Sequence, residues 1–139
     1  MKLAIHELLH GLVTAPFAYL IYINTGSSFY ALTSIVATYL IDADHLFDYF
    51  LFYGAKISPK KFFKMDYFKI SKKAYVPLHG WEWLALLVII NIGKEWGSVE
   101  RILLMAYIPH MVLDTINVGS VKFYSLIYRA SISFKHIIT

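Results

Sequence analysis

The uncharged stretch from Gly11 to Ile41 is the feature that most restricts how this chain can fold. It is longer than the roughly 20 apolar residues that cross a bilayer as one helix. The sequence NTGSS at residues 24–28 interrupts it with Asn, Gly and Ser, which favour turns. The stretch therefore predicts two apolar helices, the first at about residues 3–23 and the second at about residues 28–52.

Composition indicates that lipid is the solvent for much of the surface. Hydrophobic residues make up 58% of the chain, charged residues only 16%, and the mean hydropathy is +0.57. A soluble domain carries roughly 25% charged residues. A soluble bundle with buried apolar helices is the alternative, but a single domain over residues 1–139 cannot supply a polar shell around four such helices.

Three further segments complete the predicted fold. A third helix is expected at about residues 78–93, and the turn sequence GKEWGS at 93–98 separates it from a fourth at about 99–117. Pro109 lies inside the fourth helix and predicts a kink there. Residues 121–138 are typical of a short amphipathic tail helix. The predicted class is all-α, a small polytopic membrane helical bundle with about four transmembrane helices plus a C-terminal amphipathic helix.

The Lys-rich loop, residues 54–76, carries most of the positive charge. It holds seven of the thirteen Lys and Arg residues and a single acid, Asp66. Because loops rich in Lys and Arg stay on the cytoplasmic side, this loop and both termini are predicted to be cytoplasmic in a cell (inner) membrane. The expected partners are membrane lipids, with anionic head groups at the Lys-rich loop. A membrane interface explains the aromatic residues of the loop, so nucleic-acid binding is not expected.

Most of the acidic residues and histidines lie inside the apolar segments rather than in the loops. In the predicted topology they meet at one depth, near the cytoplasmic ends of four helices. A spacing of three or four residues places the members of a pair on one helical face. The pairs are His6 and His10, Asp42 and His45, Asp44 and Asp48, His79 and Glu82, and His110 and Asp114. Ionisable residues inside a membrane mark functional sites, and helical bundles present metal ligands in this way.

The pattern predicts a metal site made of imidazole and carboxylate groups, since the chain contains no cysteine. The candidate ligands are His10, Asp42, Asp44, His45, His79, His110 and Asp114. They outnumber the ligands of one ion, so either two ions share the site or the remaining groups support one ion. This mixture favours zinc, with manganese or iron as alternatives. A divalent ion lowers the pKa of bound water toward roughly 7, and Glu82 or Asp44 is the candidate catalytic base.

Each residue also has an ordinary structural interpretation. A single histidine such as His6 or His10 can be hydrogen-bonded at the membrane interface, and Asp48 can be solvated at a helix end. Glu82 can serve as an interface anchor, and Asp114 can cap a neighbouring backbone. The convergence of four clusters, more than any single residue, is what favours a metal site, in which Asp48 has at most a supporting role.

The order of these motifs resembles a known family. An apolar helix with an early histidine is followed by DADH at 42–45, PLHGWEWL at 77–84 and PHMVLDTIN at 109–117. This arrangement resembles the membrane-bound metal-dependent hydrolases, also described as LexA-binding, inner-membrane-associated hydrolases. The resemblance covers residues 6–117 and implies metal-dependent hydrolysis without indicating a substrate. The residues that match the family's Asp-x-Asp-His and His-to-Asp runs are Asp42, Asp44, His45, His110 and Asp114.

Two departures from the family pattern concern the later motifs. Many members carry Thr-His-Ser where this chain reads His79-Gly80-Trp81-Glu82. Glu82 therefore either replaces the hydroxyl group or adds a ligand. In the last motif Pro109 precedes His110, where a small residue is usual.

Three functions remain open from the sequence. The first is a membrane enzyme that hydrolyses a phosphoester or another ester, including lipid-linked substrates, at a cytoplasm-facing metal site. The second is a metal or proton transporter, which the external halves of the helices disfavour because they lack ionisable groups. The third is a non-enzymatic membrane adaptor whose Lys-rich loop binds anionic lipid or a partner.

Overall fold

The computed structural model describes residues 3–135, with side chains from residue 5 onward. Within that range the regular secondary structure is helical, which confirms the predicted all-α class. Two 3-10 turns, Asp42–Asp44 and Lys122–Tyr124, connect helices. The α-helices are α1 (Leu3–Thr25), α2 (Ser28–Ile41), α3 (His45–Tyr53), α4 (Pro59–Lys64), α5 (Asp66–Ser71), α6 (Trp81–Ile90), α7 (Val99–Val118) and α8 (Leu126–Ser131).

The predicted second helix is divided in the structure. α2 ends at Ile41 and α3 begins at His45, with the 3-10 turn Asp42–Asp44 between them. Aspartate side chains compete with the backbone for hydrogen bonds, and the Asp44 carboxylate accepts the backbone N–H of Leu78 at 2.7 Å. The DADH sequence therefore forms a tight turn instead of continuing along one helical face.

The third helix, the Lys-rich loop and the tail also differ from expectation. α6 begins at Trp81 because Gly80 is extended, and the Lys-rich loop contains the short helices α4 and α5. Pro59 starts α4, where a proline costs no helical hydrogen bond. The tail forms the second 3-10 turn and α8. Lys2 and residues 136–138, the end of the predicted tail helix, lie outside the described residues.

The centre of the bundle is formed by α1, α2 and α7, and α6 packs against α7. The buried hydroxyl groups of Thr14 and Thr38 lie 3.1 Å apart and connect α1 to α2. At one end the turns before α2 and α7 meet, since a Cβ on Gly97 would lie 3.0 Å from the Tyr30 ring. Most of the buried His and Asp residues come from the segments that lie toward the other end.

The surface of the bundle is apolar and part of its interior is polar. Leu8, Leu32 and Ile116, one from each central helix, are 62%, 60% and 74% exposed, whereas His10 and His110 are fully buried. Scattered exposed apolar residues are normal, but a continuous apolar surface marks contact with a membrane or another protein. The interior therefore combines buried polar residues with an apolar core that includes Ile21 and Met111.

One helix in the described part of the chain is long and apolar enough to cross a membrane, the segment Ile5–Thr25 of α1. Such a helix is weak evidence by itself, because an apolar core helix or a signal sequence has the same properties. α6 has 10 residues and rises only about 15 Å, half of the roughly 30 Å of bilayer hydrocarbon. The bundle is thus established as helical, while four membrane spans stay a prediction.

Candidate metal centre

Four segments of the chain bring histidine and aspartate side chains together inside the bundle. They are the first turns of α1, the turn between α2 and α3, the residues before α6, and the second half of α7. The residues that meet are His6, His10, Asp42, His45, His79, His110 and Asp114. Six of these are predicted ligands; that they bind metal remains a prediction.

The first group of potential ligands contains His10, Asp42, His110 and Asp114, all at least largely buried. The Nε2 atom of His10 lies 3.1 Å from Oδ1 of Asp114. The Nε2 atom of His110 lies 3.5 Å from Oδ2 of the same carboxylate. The two imidazole rings stack with their centroids 4.0 Å apart. Each carboxylate oxygen of Asp114 therefore lies next to the Nε2 atom of a different histidine.

The second group contains Asp42, His45 and His79. Oδ1 of Asp42 lies 3.4 Å from Nε2 of His45 and 3.3 Å from Nε2 of His79. The Nε2 atom of His79 is also 3.2 Å from Oδ2 of Asp114 and 3.0 Å from Nε2 of His110. The two groups therefore share Asp42 and form one continuous cluster.

The spacing of these atoms fits the coordination sphere of a metal ion. Ligands at about 2.0–2.1 Å from a tetrahedral zinc ion lie about 3.3 Å from one another. The separations within the cluster run from 2.9 to 4.0 Å and include this value, for example 3.2 Å between His79 and Asp114 and 3.3 Å between His79 and Asp42. Neither buried oxygen of Asp42 has a hydrogen-bond partner within the described part of the chain. Its nearest polar neighbours are the imidazole nitrogens of His79 and His45, and a divalent cation between these groups would stabilise the buried carboxylate.

Asp44 holds the ring of His79 in the structure. Its Oδ2 atom lies 3.0 Å from Nδ1 of His79 and also accepts the backbone N–H of Leu78. A carboxylate that holds one nitrogen of a ligating histidine orients the other nitrogen toward the metal. Asp44 belongs to neither potential ligand group, and its contacts are those of a positioning residue for His79; a role as ligand or catalytic base stays a prediction.

Glu82 is engaged in contacts with α8. Its carboxylate accepts hydrogen bonds from the Ser125 hydroxyl at 2.6 Å and from the backbone N–H groups of Leu126 and Ile127 at 2.9 and 3.1 Å. Because α6 starts at Trp81, Glu82 lies on its first turn and caps the N-terminus of α8. Glu82 therefore makes structural hydrogen bonds to α8, and a catalytic base at this position stays a prediction.

His6 joins the cluster although it is absent from the predicted ligands. Its Nε2 atom lies 2.9 Å from Oδ1 of Asp114 and 3.0 Å from Nε2 of His10. The four-residue spacing from His10 was the signal that could have included it. Asp48 is buried and accepts the backbone N–H groups of Tyr75 and Val76, both at 2.8 Å. Asp48 is thus a structural residue and is not solvated.

The segment that carries His79 is also hydrogen-bonded by Arg129 and Tyr107. Arg129 is 1% exposed and donates to the carbonyls of Val76 and His79 at 3.2 and 2.5 Å. Burial lowers the pKa of its guanidinium from the usual value, but arginine stays charged in proteins. The Tyr107 hydroxyl accepts the N–H of Gly80 at 3.2 Å. Sequence reasoning missed both residues; the single arginine within SLIYRASIS was the available signal.

Replacement of Arg129 by Met is expected to weaken metal binding about 10–100-fold, the usual effect of losing a residue that positions a ligand. The substitution leaves the carbonyls of Val76 and His79 without their charged donor, so His79 loses its fixed position. Arg129→Lys should restore part of the affinity. The measurements are the Kd in competition with a chromophoric chelator and the visible absorption of the Co²⁺-loaded protein, which reports ligand geometry.

Arg101 provides the matched control, because it also donates to two backbone carbonyls, those of Asn91 and Lys94, at the other end of the bundle. Arg101→Met should leave the metal affinity and the Co²⁺ spectrum unchanged. An Arg129→Met protein with the affinity and spectrum of the original chain would contradict the positioning role.

The site is therefore a buried cluster of imidazole and carboxylate groups that could hold one or more metal ions inside an all-α bundle. Comparison with protein families, with curated proteins and with solved structures finds no match to this chain. The family resemblance accordingly rests on the sequence motifs alone.

Proposed function

We propose that this protein is an integral membrane hydrolase that uses one or two divalent transition-metal ions, with zinc the first choice, and that it belongs to the family its motifs resemble. The observation that carries the proposal is the convergence of His10, Asp42, His79, His110 and Asp114 from four distant segments at ligand spacing. The cluster combines imidazole and carboxylate groups, and this donor set suits zinc, manganese or iron.

The positions of Asp114 and Asp42 support two neighbouring ion sites, because each carboxylate lies between two groups of histidines. Oδ1 of Asp114 faces His6 and His10, while Oδ2 faces His79 and His110. Oδ1 of Asp42 lies near His45 and His79, and its Oδ2 lies 4.0 Å from His10. Carboxylates placed in this way bridge ions about 3.5–4 Å apart in two-metal hydrolytic sites. Asp114 and Asp42 would thus be placed to hold two neighbouring ions, which would activate water and stabilise negative charge on the ester.

The location in a membrane is supported by the apolar surface of α1, α2 and α7 and by the length of α1. The cluster lies toward the same end of the bundle as the start of α1 and the Lys-rich loop. By the positive-inside rule this end is cytoplasmic, which would place both termini and the site on the cytoplasmic side of the inner membrane. Four spans require α6 to cross together with its flanking residues.

The chemistry would divide between the bound ions and the surrounding residues. Bound divalent ions lower the pKa of water to about 7 and stabilise negative charge on a phosphoryl or carbonyl oxygen. His10, His79 and His110 would hold the ions in a fixed arrangement, and Asp44 would keep Nε2 of His79 directed into the cluster. The exclusion of bulk water by the bundle strengthens these electrostatic interactions. The substrate class is an ester, with a phosphoester favoured.

The test is metal analysis and hydrolysis by the detergent-purified protein. We expect two equivalents of a transition metal per chain and hydrolysis of soluble phosphate monoesters that chelation abolishes and metal restores. Protein that lacks stoichiometric transition metal after purification and dialysis against zinc would contradict the proposal. Metal uptake into proteoliposomes without any ester hydrolysis would instead support a transporter.

A further inference from the structure

One pocket connects the candidate ligands to the surface of the bundle. It has a volume of about 280 Å³, and its lining includes the carboxyl groups of Glu7 and Asp42, the imidazole of His45, and the apolar side chains of Phe62 and Phe63. Asp42 and His45 belong to the cluster, whereas both phenylalanines lie on α4 in the Lys-rich loop. A molecule in this pocket would therefore contact the ligand cluster and the Lys-rich loop at the same time.

We propose that this pocket binds the head group of a phosphorylated lipid and that the protein hydrolyses its phosphate monoester. The inference rests on the proposed function and names its substrate class. Three features support it, namely the candidate ligands Asp42 and His45 in the lining, the lysines on the helix whose phenylalanines complete the lining, and the exposed apolar side chains among the lining residues. Ions bound at the candidate ligands would offset the lining carboxylates and contact the phosphate.

The positive charge comes from α4 and its neighbours. Lys60, Lys61 and Lys64 lie on the helix that supplies Phe62 and Phe63, and all three are exposed. Lys64 lies 2.9 Å from Asp66, the single acid of the Lys-rich loop, and this hydrogen bond lowers the pKa of that carboxyl. One ionised acid among seven lysines leaves a strong excess of positive charge, which attracts anionic head groups at a membrane surface.

The apolar side chains favour a lipid over a small soluble ester. Phe63 and Leu46 both line the pocket and are 60% and 39% exposed. A lipid chain leaving the pocket would cover this apolar surface, and burial of apolar surface stabilises the complex. A soluble phosphate ester would leave the same side chains uncovered, so it would bind more weakly.

The reaction is a hydrolysis that needs no reactant besides water. The water oxygen forms a new bond to phosphorus, and the bond between phosphorus and the lipid oxygen breaks. The lipid oxygen takes up a proton in place of the one that water loses. The products are inorganic phosphate and a lipid alcohol.

The experiment compares phosphatidic acid in phosphatidylcholine vesicles with soluble glycerol 3-phosphate, using the metal-loaded full-length protein and inorganic phosphate as the readout. We expect kcat/KM to be at least about tenfold higher for the lipid. Phe63→Ala should raise KM for the lipid about tenfold with kcat unchanged, which indicates lost binding, and should leave KM for glycerol 3-phosphate unchanged. The Kd of a non-hydrolysable phosphonate analogue of the lipid should rise by the same factor.

Ile57 provides the matched control, because it is a 73% exposed apolar residue of the same loop outside the pocket lining. Ile57→Ala should change none of these values. Equal kcat/KM for lipid and soluble ester, or release of fatty acid in place of phosphate, would overturn the lipid phosphate proposal while leaving a metal-dependent hydrolase. Absence of metal-dependent hydrolysis for every ester would overturn both.

Discussion

Asp114→Ala is expected to abolish metal binding and to lower ester hydrolysis by at least about a thousandfold. Asp114 is the residue on which the cluster converges, since its two oxygens face His10 and His6 on one side and His79 and His110 on the other. In the proposed two-ion centre, its removal would take away a ligand of both ions. Metal ions supply several kcal/mol of transition-state stabilisation, and each 1.36 kcal/mol corresponds to about a tenfold change in rate.

The measurements are metal content by mass spectrometry and initial rates of ester hydrolysis. The variant should fold, because Ala also removes a buried charge, and its helix content by circular dichroism should match that of the original protein. Glu82→Gln is the matched acid-to-neutral control for metal content, since Glu82 contacts α8 and not the cluster. A folded Asp114→Ala protein that retains its full metal content would disprove the assignment of the centre.

Removal of metal is expected to lower the thermal stability of the protein substantially. Without a cation, the buried carboxylates of Asp42 and Asp114 remain in one cluster, and both oxygens of Asp42 lack a hydrogen bond within the described residues. An ion present at about a thousand times its Kd stabilises the folded state by about 4 kcal/mol. For a chain of this size the corresponding fall in Tm is on the order of 10 °C.

The measurement is the Tm of the detergent-solubilised protein before chelation, after chelation, and after zinc is added back. The Asp114→Ala variant is the internal control, because its Tm should respond to neither treatment. If chelation and zinc leave the Tm of the original protein unchanged, the cluster is a hydrogen-bonded polar network and not a metal centre.

The helical class could be predicted because apolar segments separated by Asn, Gly and Ser are a local property of the chain. The positions of α1 and α7 followed from the same pattern, and both lie close to the predicted ranges. The division of the second helix could not be predicted, because it depends on the contact between Asp44 and the backbone of Leu78. A contact between residues this far apart leaves no periodic signal.

In the candidate site, too, contacts between residues close in the sequence could be predicted, whereas contacts between distant segments could not. The histidine and aspartate pairs are visible in the sequence because residues three or four apart share a helical face, and an uncompensated charge in an apolar segment is costly. The roles of Asp44 and Glu82 were not visible, since an acidic residue looks the same in a sequence whether it binds a metal, holds a histidine or caps a helix. Their partners, His79 and Ser125, decide between these roles.

By itself, the sequence determined that this chain is helical and that its ionisable residues are concentrated in apolar segments, because composition and short-range spacing specify both. Only the tertiary structure decided which of those residues meet. It brought His6 into the cluster, assigned Asp48 and Glu82 to structural hydrogen bonds, and placed the buried Arg129 behind His79. The physical reason is that distances between segments are set by how whole helices pack, and helix packing depends on contacts that no single segment contains.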